Sequence, residues 1–418
     1  MAGSPRVLSP NRAQIELRPV DLEGLLPEDH RARAVWEFVS GLDLSPWYES
    51  IRSVEGQAGR PAIDPAILLS LWIYATLEGV GSARAVERLC EQHDAYRWIC
   101  GGVRVSYRTL AAFRVMHERR LDALLTESVV QLMRAGLVDL VRVTQDGMRA
   151  SAGAASFRRR KRLQELRSMV SGELAALRRE LDEDPAASSR RERASRERAV
   201  RERQKRVSGA LEQMKREQEK KRPAEREAVR TSTTDPEARV MKMADGGFRP
   251  AYNAQIASDT ASGVVVGVEV TSAGTDQGQM GPMREQIARR YGVAPGELLV
   301  DGGYVSLDGI ELLEEEGCRI YAPPMRPRDP GRDPYRPRPG DGPGVARWRR
   351  RMGAPGGRAK YRRRAEAECI HAQARNRGLH QMPVRGRLRV RCVLLFHALA
   401  ENFMRTIALH ERTSEMPA

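Results

Sequence analysis

The stretch AYNAQIASDTASGVVVGVEVTSAG, residues 251–274, indicates the fold of the larger part of this chain. Its first nine residues mix apolar and polar side chains, and the segment that begins at Gly263 is rich in valine. Small and polar residues separate the two runs. Two such runs around a short turn that contains glycine are typical of a β-hairpin, so we predict two adjacent antiparallel strands here.

Further strands and helices are expected on both sides of this hairpin. Upstream, DLVRVTQDG (139–147) alternates β-branched and polar residues, which predicts a strand that closes in a turn at Asp146-Gly147. Downstream, the pattern predicts helices at 276–292 and 307–317 and short strands at 296–304 and 318–324. This order predicts an α/β fold, a mixed sheet with helices packed on it.

The N-terminal part has a different pattern. Residues 1–20 are expected to be disordered, and residues 21–135 to form a helical, DNA-binding domain in which two short helices and a glycine turn suit a helix-turn-helix. The region 84–117 is the expected reader of DNA, with Tyr107, Arg108 and Arg114 as contacts. Plain packing of helix pairs is the alternative.

Residues 157–230 consist of charged segments with regularly spaced apolar residues. Leucine and valine recur there at spacings of three and four, and Pro185 separates two such segments. This spacing predicts an antiparallel, coiled-coil-like helical hairpin inserted into the larger domain, 136–418. A solvated and partly disordered charge run is the alternative.

The overall charge points to a polyanionic partner. The 418 residues include 71 Lys and Arg against 55 Asp and Glu, a formal net charge of +16. Such a field attracts nucleic acid, although an arginine-rich proteome gives the same balance. The five cysteines form no paired motif, the N-terminus lacks an apolar signal core, and the longest apolar run, 67–78, is too short for a bilayer. We therefore expect a cytoplasmic protein with no membrane association.

Three carboxylates are candidates for chemistry. Asp146 and Asp301 each end a predicted strand and precede glycine, and Glu368 lies on a predicted helix at 361–377. Oxygen ligands of this kind suit Mg²⁺ or Mn²⁺, and two such ions can drive phosphoryl transfer. Asp-Gly is also simply a turn signature, so either aspartate alone is weak support.

The predicted helix at 361–377 carries a regular stripe. Tyr361, Arg364, Glu368 and Arg375 stand at offsets of 0, 3, 7 and 14 residues, close to whole helical turns. The stripe could present one carboxylate between two cations.

These segments together resemble bacterial insertion-sequence transposases of the DDE type, over residues 25–408. The resemblance rests on TDPEARVMKMADGGFRPAYNAQIASD (234–259), on the LLVDGGY strand and on the spacing of the stripe, which matches the Y-R-E-K signature of insertion sequence family 1182 or a near relative. Arg375 stands where that signature has lysine, so a planar guanidinium replaces a compact ammonium group. After Glu368 the chain also departs from the usual proline and aromatic-glycine pair.

The resemblance implies an RNase H-like catalytic core in 136–418. It implies Asp146, Asp301 and Glu368 as catalytic metal ligands, with two Mg²⁺ or Mn²⁺ ions. The partners it implies are DNA, as terminal inverted repeats and target, and a second subunit when both ends are paired, at the nucleoid. The activity it implies is cleavage of the element ends and joining of the freed 3′-OH to target DNA.

Basic residues around the stripe are expected to hold DNA phosphates. Tyr361, Arg364 and Arg375 are expected near the cut, and Arg349, Arg350 and Arg351 in a basic loop at 325–360. Two other readings stay open: a catalytically inactive DNA-binding relative that acts as a repressor or architectural factor, and an RNase H-like nuclease that does not join strands.

Overall fold

The computed structural model describes residues 21–54, 61–183, 190–327, 329 and 331–414. The expected disordered N-terminus at 1–20 and the expected helix stop at Pro185 lie outside the described residues.

In the described residues from 21 to 134, seven α-helices follow a short 3₁₀ turn at Glu23–Leu25. They are α1 Arg31–Ser40, α2 Ser45–Tyr48, α3 Pro65–Leu77, α4 Ala83–Gln92, α5 Asp94–Cys100, α6 Tyr107–Met116 and α7 Glu118–Arg134. Each of the two helices expected around the glycine turn is in fact broken once, at His93 and at His117. The backbone of His93 is extended, and its Nδ1 accepts from the amide of Ala95, so one residue ends α4 and caps α5.

Eight strands are present among the described residues: β1 Arg142–Ser151, β2 Phe157–Arg158, β3 Thr231–Ser232, β4 Arg239–Lys242, β5 Phe248–Asp259, β6 Val265–Thr271, β7 Glu297–Leu299 and β8 Arg319–Tyr321. Six of them form one mixed sheet in the order β4-β5-β1-β7-β8, and β6 also pairs with β5. The β5–β6 pair is the hairpin that the valine-rich stretch predicts. β1 runs antiparallel to β5 and parallel to β7, and β7 runs parallel to β8. The predicted mixed α/β architecture is therefore confirmed.

The strand β1 does not end where the sequence suggests. Asp146-Gly147 is not a turn but the middle of a ten-residue strand, which pairs with β5 from Val143 to Ser151. A Cβ at Gly147 would lie 2.4 Å from Asp276 Oδ1 and 2.6 Å from Gln255 Nε2. Glycine is required here by the close approach of neighbouring side chains, which a local pattern does not distinguish from a turn.

Two helices connect the strands that follow. α10 spans Met280–Tyr291 and α11 spans Leu307–Glu315. Between them β7 ends at Leu299, and a 3₁₀ turn occupies Gly302–Tyr304. Asp301 caps this turn, since its Oδ1 accepts from the amide of Gly303 at 2.7 Å.

The segment expected to be a basic loop, 325–360, is helical in its second half. α12 spans Pro343–Gly353 and α13 spans Pro355–Arg362. The prediction of a loop was wrong because the Pro and Gly residues stand at helix starts and ends, where they are compatible with helix. α12 buries Trp348 against β8, and the indole nitrogen donates to the carbonyl of Ala322.

Residues 157–230 contain two long helices. α8 spans Arg160–Glu183 and α9 spans Arg190–Glu219, and apolar residues of both lie in the seam between them. The strands β2 and β3 pair at the base of this hairpin.

The main core joins the N-terminal helices to the sheet. Buried residues of α1, α3, α5 and α6 share one cluster with one face of β1, β5 and β6. The last two helices, α14 Ala365–Asn376 and α15 Arg387–Ser414, complete this cluster. Among the described residues one helical stretch, Arg387–Arg412, is long and apolar enough to cross a membrane, but 67% of its most apolar window is buried inside the protein. α15 packs on α3, α6, α7 and β6, as a core helix does.

Candidate active site

Two of the three candidate carboxylates meet at one edge of the sheet. In the parallel β1–β7 pair, Thr144 is opposite Leu299. Asp146 and Asp301 each follow these partners by two residues along parallel chains, so they emerge side by side. They are 155 residues apart in sequence, and only the register of β1 on β7 brings them together.

Asp146 is held by three groups. Its Oδ2 accepts from Arg364 Nη1 at 3.2 Å and lies 3.5 Å from His371 Nδ1, and its Oδ1 accepts from the amide of Gly147 at 2.9 Å. The side chain is 14% exposed. Its orientation is therefore fixed by burial and by hydrogen bonds, not by solvent.

Glu368 reaches the same site through arginine. Arg364 Nη2 donates to Glu368 Oε1 at 3.1 Å, so the guanidinium bridges the carboxylates of Asp146 and Glu368. The Glu368 side chain is 65% exposed, in contrast to Asp146. The guanidinium thus places a positive charge between these two carboxylates.

The single helix expected at 361–377 is interrupted. α13 ends at Arg362, Arg363 and Arg364 form a turn, and α14 begins at Ala365. The amides of Arg363 and Arg364 bond three residues back, to Lys360 and Tyr361, which tightens the turn. α13 is fixed to the sheet because Lys360 Nζ lies 2.8 Å from the buried Glu297 of β7. Packing on the sheet therefore decides the break.

The other two residues of the stripe flank the site. Tyr361 is half-buried beside Arg364, and burial raises the pKa of its phenol while the guanidinium lowers it. Arg375 is exposed on α14, one turn beyond His371.

Burial disfavours the ionised form of both aspartates. For Asp146, burial raises the pKa, and Arg364 and the amide of Gly147 oppose that rise. For Asp301, burial raises the pKa, the amide of Gly303 lowers it, and the neighbouring Asp146 raises it further. The two carboxylates thus feel each other's charge, as groups that could share one cation must.

His371 is a neighbour that sequence reasoning did not assign a role. It is almost fully buried on α14, and burial together with Arg375 and Arg364 lowers the pKa of its imidazole to about 4. At neutral pH it is therefore uncharged beside Asp146.

Asp276 is a second residue that the sequence did not single out. It is buried behind Gly147 and accepts from Asn253 Nδ2 at 2.6 Å and Gln255 Nε2 at 2.8 Å through Oδ1, while Oδ2 lies 3.3 Å from Arg149 Nη2. The sequence held a signal for this network. Asn253 and Gln255 are polar residues at alternate positions of a predicted strand, so both point to the same face.

The donor atoms at this site suit a divalent cation. Their arrangement brings together only part of the three-carboxylate ligand set. Asp146, Asp301 and Glu368 supply hard oxygen ligands. Among the described residues, however, no three His, Cys, Asp or Glu side chains lie close enough together to hold a metal ion. The exposed Glu368 side chain, now paired with Arg364, is the one that must turn to complete such a site.

The remaining candidate DNA contacts divide into exposed and buried residues. Arg350 and Arg108 are exposed, and the half-buried Tyr107 ring lies under the Arg84 guanidinium at 5.0 Å. Arg114, in contrast, is buried over Trp72 at 4.4 Å and donates to the carbonyl of Gly81, and burial lowers its pKa to about 10.

Two arginines of α12 also have partners inside the protein. Arg349 is 3% exposed, and its Nε lies 2.7 Å from Asp341 Oδ2. Arg351 pairs with the buried Glu314 of α11. The guanidiniums of Arg349 and Arg351 are thus paired with buried carboxylates, and that of Arg114 is buried over Trp72.

Comparison with known families gives two matches. Residues 20–116 match a family model described as Transposase domain (DUF772), and residues 214–403 match one described as Transposase DDE domain. The second match includes Asp301 and Glu368 and begins after Asp146. A search of curated proteins and a search of solved structures give no significant match. The two models indicate a DDE-type transposase of the insertion-sequence kind, and the DDE domain implies an RNase H-like core.

Proposed function

The chain is a DDE transposase, an enzyme that acts on DNA, and we propose that it cleaves the ends of its own insertion sequence and joins the freed 3′-OH ends to target DNA by two-metal-ion phosphoryl transfer. One observation carries this proposal. The parallel register of β1 and β7 places Asp146 beside Asp301, and Arg364 links Asp146 to Glu368.

Within this class we place the chain in the Y-R-E-K branch, with insertion sequence family 1182 or a near relative. The support is the spacing of Tyr361, Arg364, Glu368 and Arg375. These residues span the end of α13 and most of α14, and the first three lie around the Asp146 carboxylate.

The chain's own residues have separable roles in this reaction. Asp146, Asp301 and Glu368 would hold Mg²⁺ or Mn²⁺, which lowers the pKa of bound water and stabilises a leaving oxygen. Water attacks the phosphodiester at the element end and releases a 3′-OH, and this hydroxyl then attacks a target phosphodiester, displacing its 3′-oxygen. Arg364 and Arg375 contact phosphates on either side of the cut, and Tyr361 stacks on a base or bonds a phosphate. The uncharged His371 adds no competing positive charge beside Asp146.

DNA contacts outside the site come from the N-terminal helices. Tyr107 and Arg108 lie on α6 near Arg84 of α4, so their polar groups form one surface patch. We assign the element's terminal inverted repeats to this patch, and a second copy of the chain to the paired-end complex. The substrate places the protein in the cytoplasm with the nucleoid.

A second candidate function is a DNA-binding relative without catalysis. It is favoured by the observation that no three acidic or histidine side chains among the described residues are gathered for a metal ion.

The test compares purified wild type with Asp146→Asn and Glu368→Gln on a labelled duplex that carries the element's own end, with Mg²⁺ or Mn²⁺. We expect cleavage at the element boundary by wild type, and a loss of about 10³-fold or more in rate for each variant, with DNA binding retained. Glu315→Gln changes an exposed carboxylate of α11 and serves as the matched control with wild-type rate.

Each alternative has its own outcome. Cleavage without strand transfer to a target plasmid would indicate a nuclease. Binding without cleavage by wild type, under either metal, would establish the non-catalytic relative.

A further inference from the structure

The hairpin carries most of the excess positive charge of the protein. Residues 157–230 contain 24 Lys and Arg against 14 Asp and Glu, an excess of ten in a chain whose total excess is 16. Nothing in the active site requires this charge. We therefore expect the excess positive charge of the hairpin to have a separate binding partner.

The apolar residues of the hairpin are already used inside it. Leu163, Val170 and Leu174 of α8 are buried against Val207, Ala210 and Met214 of α9. Among the described side chains of the two helices, the exposed large apolar residue is Met169, at 56%. No apolar stripe is therefore left on these side chains for another helix, which disfavours a second protein chain as the partner.

A basic groove runs along the base of the hairpin, where α8 begins and α9 ends. It consists of two adjoining clefts of about 420 and 660 Å³ that share Arg160, Gln164, Lys215 and Gln218. We call it the hairpin groove. Its basic residues are Arg159, Arg160, Lys161, Arg167, Lys215 and Arg226, and its acidic residues are Glu212, Glu219 and Glu227.

The basic residues of the hairpin groove differ in their ion pairs from three arginines of the same hairpin. Further along, Arg203 pairs with Glu173 at 2.9 Å, Arg201 with Glu197 at 2.5 Å and Arg196 with Glu180 at 3.6 Å. In the described part of the chain, none of the six basic groove residues lies within ion-pair distance of a carboxylate. Clustered and unneutralised cations repel one another and attract a polyanion.

From this surface we infer that the hairpin groove binds the sugar-phosphate backbone of duplex DNA, as a second contact apart from the active site. The inference rests on DNA as the substrate and names a further surface for it. Arginine, lysine and glutamine side chains around a cleft suit phosphate oxygens, and such contacts position a duplex without reading its sequence. With α8 about 36 Å long, the hairpin can follow the backbone over roughly one helical turn of DNA.

The test measures DNA binding against salt concentration, with full-length protein, a 60-bp duplex and no divalent metal. One variant neutralises the groove: Arg160→Gln, Arg167→Gln and Lys215→Gln together. The matched control neutralises three paired arginines of the same hairpin: Arg196→Gln, Arg201→Gln and Arg203→Gln. Both variants lower the net charge by three, so the overall field of the protein changes equally.

Each phosphate contact contributes about 0.9 to the slope of log K against log salt. We expect the groove variant to lose about two to three from this slope, for any DNA sequence, and the control to lose less than about 0.5. Equal losses in both variants, or none in either, would overturn the inference. A changed oligomeric state of the groove variant in sedimentation, with an unchanged slope, would also overturn it and indicate a protein partner.

Circular dichroism of both variants distinguishes a lost DNA contact from lost helical structure. A milder variant, Lys215→Gln alone, is expected to reduce the slope of log K against log salt by about one. Because no metal is present, the result does not depend on whether the protein cleaves DNA. Failure of cleavage with an intact groove effect would count against the proposed reaction alone.

Discussion

The candidate active site and the hairpin both contain ion pairs between arginine and a carboxylate, but these pairs differ in burial. Around Asp146, the carboxylate and the guanidinium of Arg364 are 14% and 15% exposed, and the geometry is fixed by burial. On the hairpin, Arg203 and Glu173 are 53% and 44% exposed. A buried pair fixes the orientation of its carboxylate, whereas an exposed pair mainly adjusts surface charge.

The difference follows from what surrounds the charges. The site is supported from behind by the polar network of Asp276, Asn253 and Gln255, so a small change is transmitted to Asp146 through packed atoms. The hairpin has a thin apolar seam and solvent on its outer faces. We therefore expect the same kind of substitution to have large effects in the first region and small effects in the second.

The largest contrast is expected from adding one methyl group in each region. Gly147→Ala places a Cβ within 2.4 Å of buried Asp276 Oδ1, so we expect a loss of roughly 3 kcal/mol in the free energy of unfolding and a loss of cleavage. Gly172→Ala, within α8, meets nothing within 4 Å, and we expect a gain of about 1 kcal/mol there. Urea unfolding measures both.

If Gly147→Ala left both the free energy of unfolding and cleavage unchanged, the β1–β5 surface would not be the rigid support described above.

An intermediate effect is expected from Asp301→Asn, measured as the change in thermal stability between low and neutral pH. Because burial raises the pKa of Asp301 above the ordinary value of 3.8, the folded protein binds this proton more tightly than the unfolded chain. Its ionisation therefore lowers stability as pH rises from that ordinary value through the folded pKa. We expect Asp301→Asn, assayed without metal, to unfold at a higher temperature than wild type at pH 7.5 and to show no difference near pH 3, while it loses cleavage.

Asp29→Asn, an exposed carboxylate, is the control and should match wild type throughout. A pH-independent difference for Asp301→Asn would indicate that lost hydrogen bonding at the Gly303 amide, not ionisation, controls the result.

The smallest effect is expected from Arg203→Gln. Because its ion pair with Glu173 is about half exposed, the change in the free energy of unfolding should be about 0.5 kcal/mol or less. Chemical denaturation measures the change, at low and at high salt. A loss several times larger would show that the hairpin depends on its surface pairs, and would remove the contrast with the active site.

The outline of the fold could be predicted where a local pattern was sufficient. The valine-rich hairpin at β5 and β6 and the helices α10, α11 and α14 follow from strand and helix patterns in the sequence. Prediction failed where a glycine or a proline is compatible with two different local structures. Gly147 was predicted to lie in a turn, whereas in the structure it allows close packing inside β1. Residues 325–360 were predicted to form a loop, whereas the segment contains the ends of helices.

The candidate site was predictable in its residue types but not in its geometry. Asp301 was identified as a predicted strand end before glycine, and Glu368 and Arg364 by their spacing. The burial of Arg114 and Arg349 and the ion pair of Arg351 were not foreseen. An isolated arginine in a basic segment gives no sign of whether a buried carbonyl or carboxylate from another element will face it.

By itself, the sequence determined the hairpin of β5 and β6 with the helices and strands that follow it up to β8, the surplus of positive charge and the spacing of Tyr361, Arg364, Glu368 and Arg375, because propensity, charge and periodicity are properties of neighbouring residues. Only the tertiary structure decided that Asp146 lies beside Asp301, that Asp276 lies against Gly147, and that the stripe bends at Arg363. These features depend on strand register and on packing between segments more than 100 residues apart. Such contacts form only when the whole core is assembled.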